Sequence, residues 1–315
     1  MQKYIKGRLP NFKPVFKSEE SKFIVWVGIK VAGISLGITL FLYYFLYLIM
    51  RLNYAFFRAN GFPEMNDENP FYAYIISEVI DTLPVLFGFH VCLFFIGVYV
   101  GWLILRPFRI IGDYSERVLE NINEVYRVED FNTYKLLTRF SEFFFEYLRE
   151  SRKRKEILSN SIPPQYSKIH KPVQDKIFML HFGLLLIIIA ISSAYFIIES
   201  TSFIYHSMVE LATKTLSNQI STSKFFGEQM FVLDEVVNLT IIFIVLFYTM
   251  LGFHLYSKVS GAAFGIFSTM RSFMKGNHSS RVHLVGYAYL RDYTRKLNKY
   301  LDYMENTFSK ESSKE

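Results

Sequence analysis

The sequence has a single cysteine, Cys92, and comparatively few charged residues. One thiol excludes an intramolecular disulfide and a metal cluster built on cysteines. Charged residues make up 20% of the 315 positions, where about a quarter is usual for a soluble domain. The deficit is concentrated in four long stretches that contain no Asp, Glu, Lys or Arg.

Motifs that carry common catalytic chemistry are absent as well. The chain has no phosphate-binding loop, no Gly-x-Gly-x-x-Gly after a strand and no His-Glu-x-x-His. It also lacks a Cys-x-x-Cys pair and the Gly-x-Ser-x-Gly elbow of hydrolases. We therefore expect that the protein is not an enzyme and that it holds neither a cofactor nor a metal.

What the chain has instead is four apolar stretches of bilayer length. A hydrocarbon core of about 30 Å needs roughly 20 helical residues, and each stretch provides them. Buried helices of a soluble protein are the alternative, but such helices are usually shorter and carry a polar face. The sequence therefore predicts an all-α membrane protein with the lipid bilayer as its first partner. The four predicted spans are residues 31–50, 82–105, 177–198 and 236–257.

Basic residues are distributed unevenly around these spans. Lys and Arg number 7 before the first span, 14 between the second and third, and 10 after the fourth, but 2 in each remaining loop. Because Lys and Arg favour the cytoplasmic side, we expect both termini and the central segment to be cytoplasmic. The same preference accounts for the net charge of +7, so no nucleic-acid partner is expected.

Two span pairs alternate with basic segments along the chain. The predicted organisation is an N-terminal tail (1–30), a first transmembrane pair (31–105), a cytoplasmic segment (106–176), a second pair (177–257) and a C-terminal segment (258–315). The two cytoplasmic segments can be overlaid at an offset of about 153 residues, which indicates an internal repeat. We expect the outer loop at 202–233 to extend the third and fourth spans as helices joined near Gly227.

Each cytoplasmic segment contains apolar residues at three- and four-residue spacing, which places them on one helix face. We predict two such helices, over about 131–152 and 286–308. Their apolar faces could join two chains, or two halves of one chain, in a parallel bundle. Alternatively, each helix could lie flat on the lipid surface. The residues of this predicted seam are Phe140, Phe144, Tyr147, Tyr293, Leu297 and Tyr300.

The C-terminal segment also contains a short helix, a glycine-led polar connector and a second helix with an apolar-Asn pair. This order resembles the HAMP linker of bacterial membrane receptors. The first half is similar, with a proline directly after the second span and an Arg-Val pair before its later helix. The residues that carry the resemblance are Pro107, Arg127, Val128, Gly276, Arg281, Val282 and Asn298.

The resemblance implies a multi-pass protein of the bacterial inner membrane that takes part in signal transduction or assembly without catalysis. Its HAMP-like helices would form bundles, as a homodimer or with a separate partner. We expect a signal to leave through a separate protein, since only a short polar tail follows the second HAMP-like segment. A small transporter or channel built from two repeated span pairs is the alternative.

Glu78 and Asp81 lie near the predicted outer end of the second span. Three residues apart, they share one helix face. They could form a cation site at an outer mouth, or they could be ordinary interface residues.

Overall fold

A computed structural model describes residues 18–59, 68–121, 123–125, 135–154, 162, 166, 176–215 and 220–312. Within these ranges the regular structure is entirely helical. A short 3₁₀ turn, Ala288–Leu290, precedes the last helix. The long α-helices are α1 (Glu19–Ala59), α2 (Glu68–Glu120), α3 (Lys135–Arg154), α4 (Lys176–Thr215), α5 (Ile220–Met274) and α6 (Arg291–Ser312).

Four of these helices, α1, α2, α4 and α5, are long and apolar enough to cross a membrane. Each contains one predicted span, so the prediction of an all-α, multi-pass membrane protein is confirmed. The longest, α5, has 55 residues and is therefore about 80 Å long at 1.5 Å per residue. A length well beyond the 30 Å or so of a hydrocarbon core means that these helices continue outside the bilayer.

Two positions near the ends of predicted spans lie inside continuous helices. At Pro107, α2 continues without a break to Glu120. Gly227 does not join two helices. It lies inside α5, which begins at Ile220, whereas α4 ends at Thr215. A glycine can be tolerated within a helix, so its presence alone was a weak signal for a joint.

The chain forms two compact units, and each combines segments that are distant in sequence. Unit 1 contains residues 1–27, 98–183 and 253–315, whereas unit 2 contains residues 28–97 and 184–252. From their bounds, α1, α2, α4 and α5 contribute residues to both units.

Unit 2 is held together by apolar packing with a few polar contacts between helices. Asn53 in α1 donates from Nδ2 to Gln229 Oε1 of α5 at 2.9 Å. The buried Tyr248 hydroxyl donates to the Val31 carbonyl at 3.0 Å and lies 3.2 Å from Ser193 Oγ. Buried hydroxyls such as that of Thr39 donate to the carbonyl four residues earlier. These polar groups are thus paired locally or across one helix contact.

Candidate functional site

The candidate site is a bundle of four helical segments in unit 1. It consists of the C-terminal part of α2 (residues 98–120), α3, the C-terminal part of α5 (residues 253–274) and α6. The direction of each segment follows from the order in which its residues meet those of its neighbours.

Helices α3 and α5 meet through aromatic rings. Phe140 lies against Phe267 at 4.4 Å between ring centroids, and Phe144 lies against Phe273 at 6.2 Å. Between these contacts, Ser141 Oγ is 4.0 Å from Met270 Sδ. Because residue numbers rise together along both helices, α3 and α5 run parallel.

Helices α2 and α6 approach each other closely at Gly112. A Cβ at this position would lie 2.9 Å from the Cα and Cβ of Tyr293, so no larger residue fits without movement. One turn later, Lys296 Nζ lies 2.8 Å from Asp113 Oδ1 and 2.8 Å from Glu116 Oε2. Residue numbers again rise together, and α2 and α6 are parallel.

The connector between α5 and α6 runs back along α5. Gly276, with φ of +97°, turns the chain after α5 ends at Met274. A Cβ at Gly265 would touch Leu284, and one at Gly261 would touch Tyr287. The connector therefore runs antiparallel to α5, because its residue numbers rise in the direction in which those of α5 fall. The Tyr289 hydroxyl then donates to the Lys258 carbonyl at 2.8 Å. Helix α6 therefore starts near Lys258. Its other end returns to the end of α5, where the His278 ring lies 5.1 Å from Phe273 and 5.9 Å from Phe308, so α6 runs parallel to α5.

These directions together define a parallel four-helix bundle in which the halves of the chain interlock. The later helix of the second half (α6) packs on the earlier helix of the first (α2). The later helix of the first half (α3) packs on the earlier helix of the second (α5). Phe145 joins the two pairs, with ring centroids 4.6 Å from Tyr114 and 5.8 Å from Tyr300.

The six predicted seam residues all lie in this bundle interior. None is more than 7% exposed in the single chain. Burial raises the pKa of the Tyr293 and Tyr300 phenols, so both remain neutral at physiological pH. The Tyr293 hydroxyl accepts a hydrogen bond from Arg109 Nε at 3.1 Å. Within the described residues, the seam is thus covered by contacts inside one chain.

Burial also matches between positions 153 residues apart, in α3 and in the 3₁₀ turn and α6 of the second half. Leu137 and Leu290 are both buried, as are Phe144 and Leu297, and Leu148 and Leu301. On the opposite face, Glu142 and Arg295 are both exposed.

An asparagine and an arginine fix the connector on α6. Asn298 in α6 accepts a hydrogen bond from the Val282 N–H at 2.8 Å and donates to the Val282 carbonyl at 3.0 Å. Val282 itself is 3% exposed. Beside it, Arg281 pairs with Asp302 at 2.6 Å and with Glu305. The Arg-Val pair and the Asn noted in the sequence therefore act together to fix the connector on α6.

The remaining residues of the HAMP-like pattern are less informative. Pro107 is buried within α2. Arg127 and Val128 lie outside the described residues. The predicted helix at 286–308 begins later than expected, because Gly286 has φ of +86° and a 3₁₀ turn precedes Arg291.

Glu78 and Asp81, the acids of the predicted outer mouth, show no site geometry. Glu78 is partly exposed and Asp81 exposed. Among the described residues, no group of three or more His, Cys, Asp or Glu side chains is placed to hold a metal.

Sequence reasoning missed the contribution of α1 to the bundle. Arg109 donates from Nη2 to Glu20 Oε1, and Phe23 stacks on Tyr289 at 4.3 Å. An acid just before an apolar span was the available signal for an ion pair, but its partner is 89 residues away along the chain.

No protein-family model, curated protein or solved structure matches the chain.

Proposed function

We propose that this protein is a non-enzymatic signalling or assembly component of a bacterial inner membrane, acting through its parallel helical bundle. The observation that carries the proposal is the interlocked pairing of α2 with α6 and of α3 with α5. Because α2 and α5 are continuous helices that include predicted spans, a shift of a span could change the packing of these pairs. The resemblance to HAMP linkers supports the same use.

The orientation proposed from the basic residues places the bundle in the cytoplasm. Single cysteines in a Cys92→Ser background test it. Cysteine at the exposed Thr213 should react with an impermeant maleimide on intact spheroplasts, and cysteine at the exposed Ser279 should react only after permeabilisation. Labelling of Ser279→Cys from outside would reverse the orientation.

The partner is proposed to contact the exposed outer face of the bundle. Six seam residues are already covered within one chain, so a homodimer through the seam would first have to open these contacts. The outer face carries charged residues such as Glu142, Glu146, Arg295 and Lys299. A charged, regular helix surface is suited to a separate protein that detects a change in helix packing.

Photo-crosslinking in cells tests this function. A benzophenone amino acid placed singly at Glu142, Glu146, Arg295 or Lys299 should crosslink to a second protein. Positions that neighbour each other on the outer face should give the same discrete product. The same probe at buried Phe144 serves as the control and should react only within the chain. Absence of any product from the outer face, together with solute flux through the protein in liposomes, would favour the transporter alternative.

A further inference from the structure

One face of α1 in unit 2 carries two arginines beside an open cleft. The cleft has a volume of about 900 Å³ and is lined by Tyr47, Arg51, Tyr54, Arg58 and Ile76, among others. The four named residues of α1 follow one another at intervals of three or four residues, so they share one helix face. Unit 2 contains no arginine besides these two, and both line the same cleft.

Arg51 is positioned by an aromatic neighbour. Its guanidinium carbon lies 6.0 Å from the centroid of the Tyr47 ring, which is within the range of a cation–π contact. Each guanidinium has five N–H donors in a planar fork, a geometry that matches the oxygens of a phosphate. The cleft therefore has both the charge and the donor geometry to bind a phosphate group.

An apolar cavity adjoins this cleft. It has a volume of about 220 Å³ and is lined by side chains of α1, α2 and α4, including Leu46, Val79 and Met208. The cavity and the cleft share two lining residues, Tyr47 and Ile76. An apolar cavity of about 150 Å³ is already large enough to take a benzene-sized molecule and to exclude water. A hydrocarbon chain is thus a suitable occupant.

We propose that the cavity and the cleft together form a binding site for one anionic glycerophospholipid of the membrane. One acyl chain occupies the apolar cavity, and the phosphate lies against Arg51 and Arg58. The acyl chain alone gives no selectivity between lipids, because it moves into the cavity from a bilayer that is equally apolar. The two arginines select the anionic headgroup. Such a lipid could bind whichever side of the membrane the cleft faces.

Lipid binding to the purified, delipidated full chain tests the proposal by native mass spectrometry. Phosphatidylglycerol should bind about tenfold or more tightly than phosphatidylcholine of identical tails, a difference typical of charge-assisted contacts. Arg51→Ala/Arg58→Ala should abolish this preference. Lys214→Ala/Lys224→Ala removes the same charge from unit 2 and should retain it. If the double arginine variant loses helical content, Arg51→Gln alone should still reduce the preference.

Two further measurements separate the contribution of the acyl chain to binding from that of the headgroup. Met208→Trp, which adds bulk to the cavity lining, should weaken binding of both lipids while leaving their ratio unchanged. Inorganic phosphate should compete poorly, because it lacks the chain that the cavity holds. Equal binding of the two lipids, or competition by phosphate as strong as by the lipid, would overturn the proposal.

Discussion

Unit 1 and unit 2 share four helices, yet they pack in different ways. Aromatic rings from different helices meet in both units, as Phe140 meets Phe267 in unit 1 and Phe89 meets Phe196 in unit 2. In unit 1, ion pairs such as Lys296–Asp113 lie at the surface. In unit 2, many large apolar side chains, including Phe87 and Tyr195, point outward. The two surfaces suit two different solvents, water for unit 1 and lipid for unit 2. Water favours a covered apolar interior, whereas lipid accepts apolar side chains on the outside.

The largest expected effect distinguishes a buried aromatic residue of unit 1 from an exposed aromatic residue of unit 2. Phe144 is fully buried in unit 1, and Phe87 is 71% exposed in unit 2. Phe144→Ala should destabilise the bundle by about 3–5 kcal/mol, since it leaves a cavity. Hydrogen exchange of α3 and α6 amides in nanodiscs should accelerate at least about 100-fold, at roughly 1.4 kcal/mol per tenfold.

Phe87→Ala is the matched control for this variant. Its side chain is exposed on a helix long and apolar enough to cross a membrane, so exchange in α2 should change little. Similar acceleration from both substitutions would mean that the burial difference between the units has no energetic consequence.

The next comparison concerns two helix glycines. Gly112→Ala places a Cβ 2.9 Å from the Tyr293 backbone and should cost about 1–3 kcal/mol by overpacking. Gly183→Ala meets nothing within 4 Å and should be neutral or slightly stabilising, because alanine is the better helix former. Thermal melts of both variants in the same detergent measure the difference, and a lower midpoint for Gly183→Ala than for Gly112→Ala would refute the close approach of α2 and α6.

An effect of similar size but more local in extent is expected at the connector. Asn298→Ala leaves the N–H and carbonyl of the buried Val282 without their side-chain partner, at a cost of about 1–3 kcal/mol. Exchange of the Val282 amide should accelerate more than that of α6 as a whole. Asn306→Ala, at an exposed position on the same helix, is the control. An unchanged Val282 amide in Asn298→Ala would show that other contacts hold the connector.

The sequence was most informative where a single physical rule decides the outcome. Spans without charge and the three-and-four spacing of Phe140, Phe144 and Tyr147 follow from bilayer thickness and helix period alone. Contacts that depend on which helix becomes the neighbour were not predictable. Gly112 matters only because Tyr293 packs on it, and the Arg51 cleft exists only because Ile76 of α2 lies opposite. Neither pairing leaves a local signal in one sequence.

The smallest expected effect is a pH dependence confined to unit 1. His278 lies between Phe273 and Phe308, with ring centroids 5.1 and 5.9 Å away. Burial lowers its pKa, opposed in part by the Glu305 carboxylate. A histidine whose folded pKa is depressed stabilises fully above its unfolded value of about 6.5 and loses that contribution as pH falls through the folded value.

Exchange at the C-terminal end of α6 should therefore accelerate a few-fold between pH 7 and pH 5, after correction for the intrinsic pH dependence of exchange. His278→Phe keeps a ring between Phe273 and Phe308 but cannot bind a proton, so its protection should not change over this range. His283→Phe alters an exposed histidine of the same connector and should leave the pH dependence intact. If His283→Phe removes the dependence and His278→Phe does not, the buried imidazole is not its source. Amides of unit 2 should show no corresponding change, because His278 belongs to unit 1.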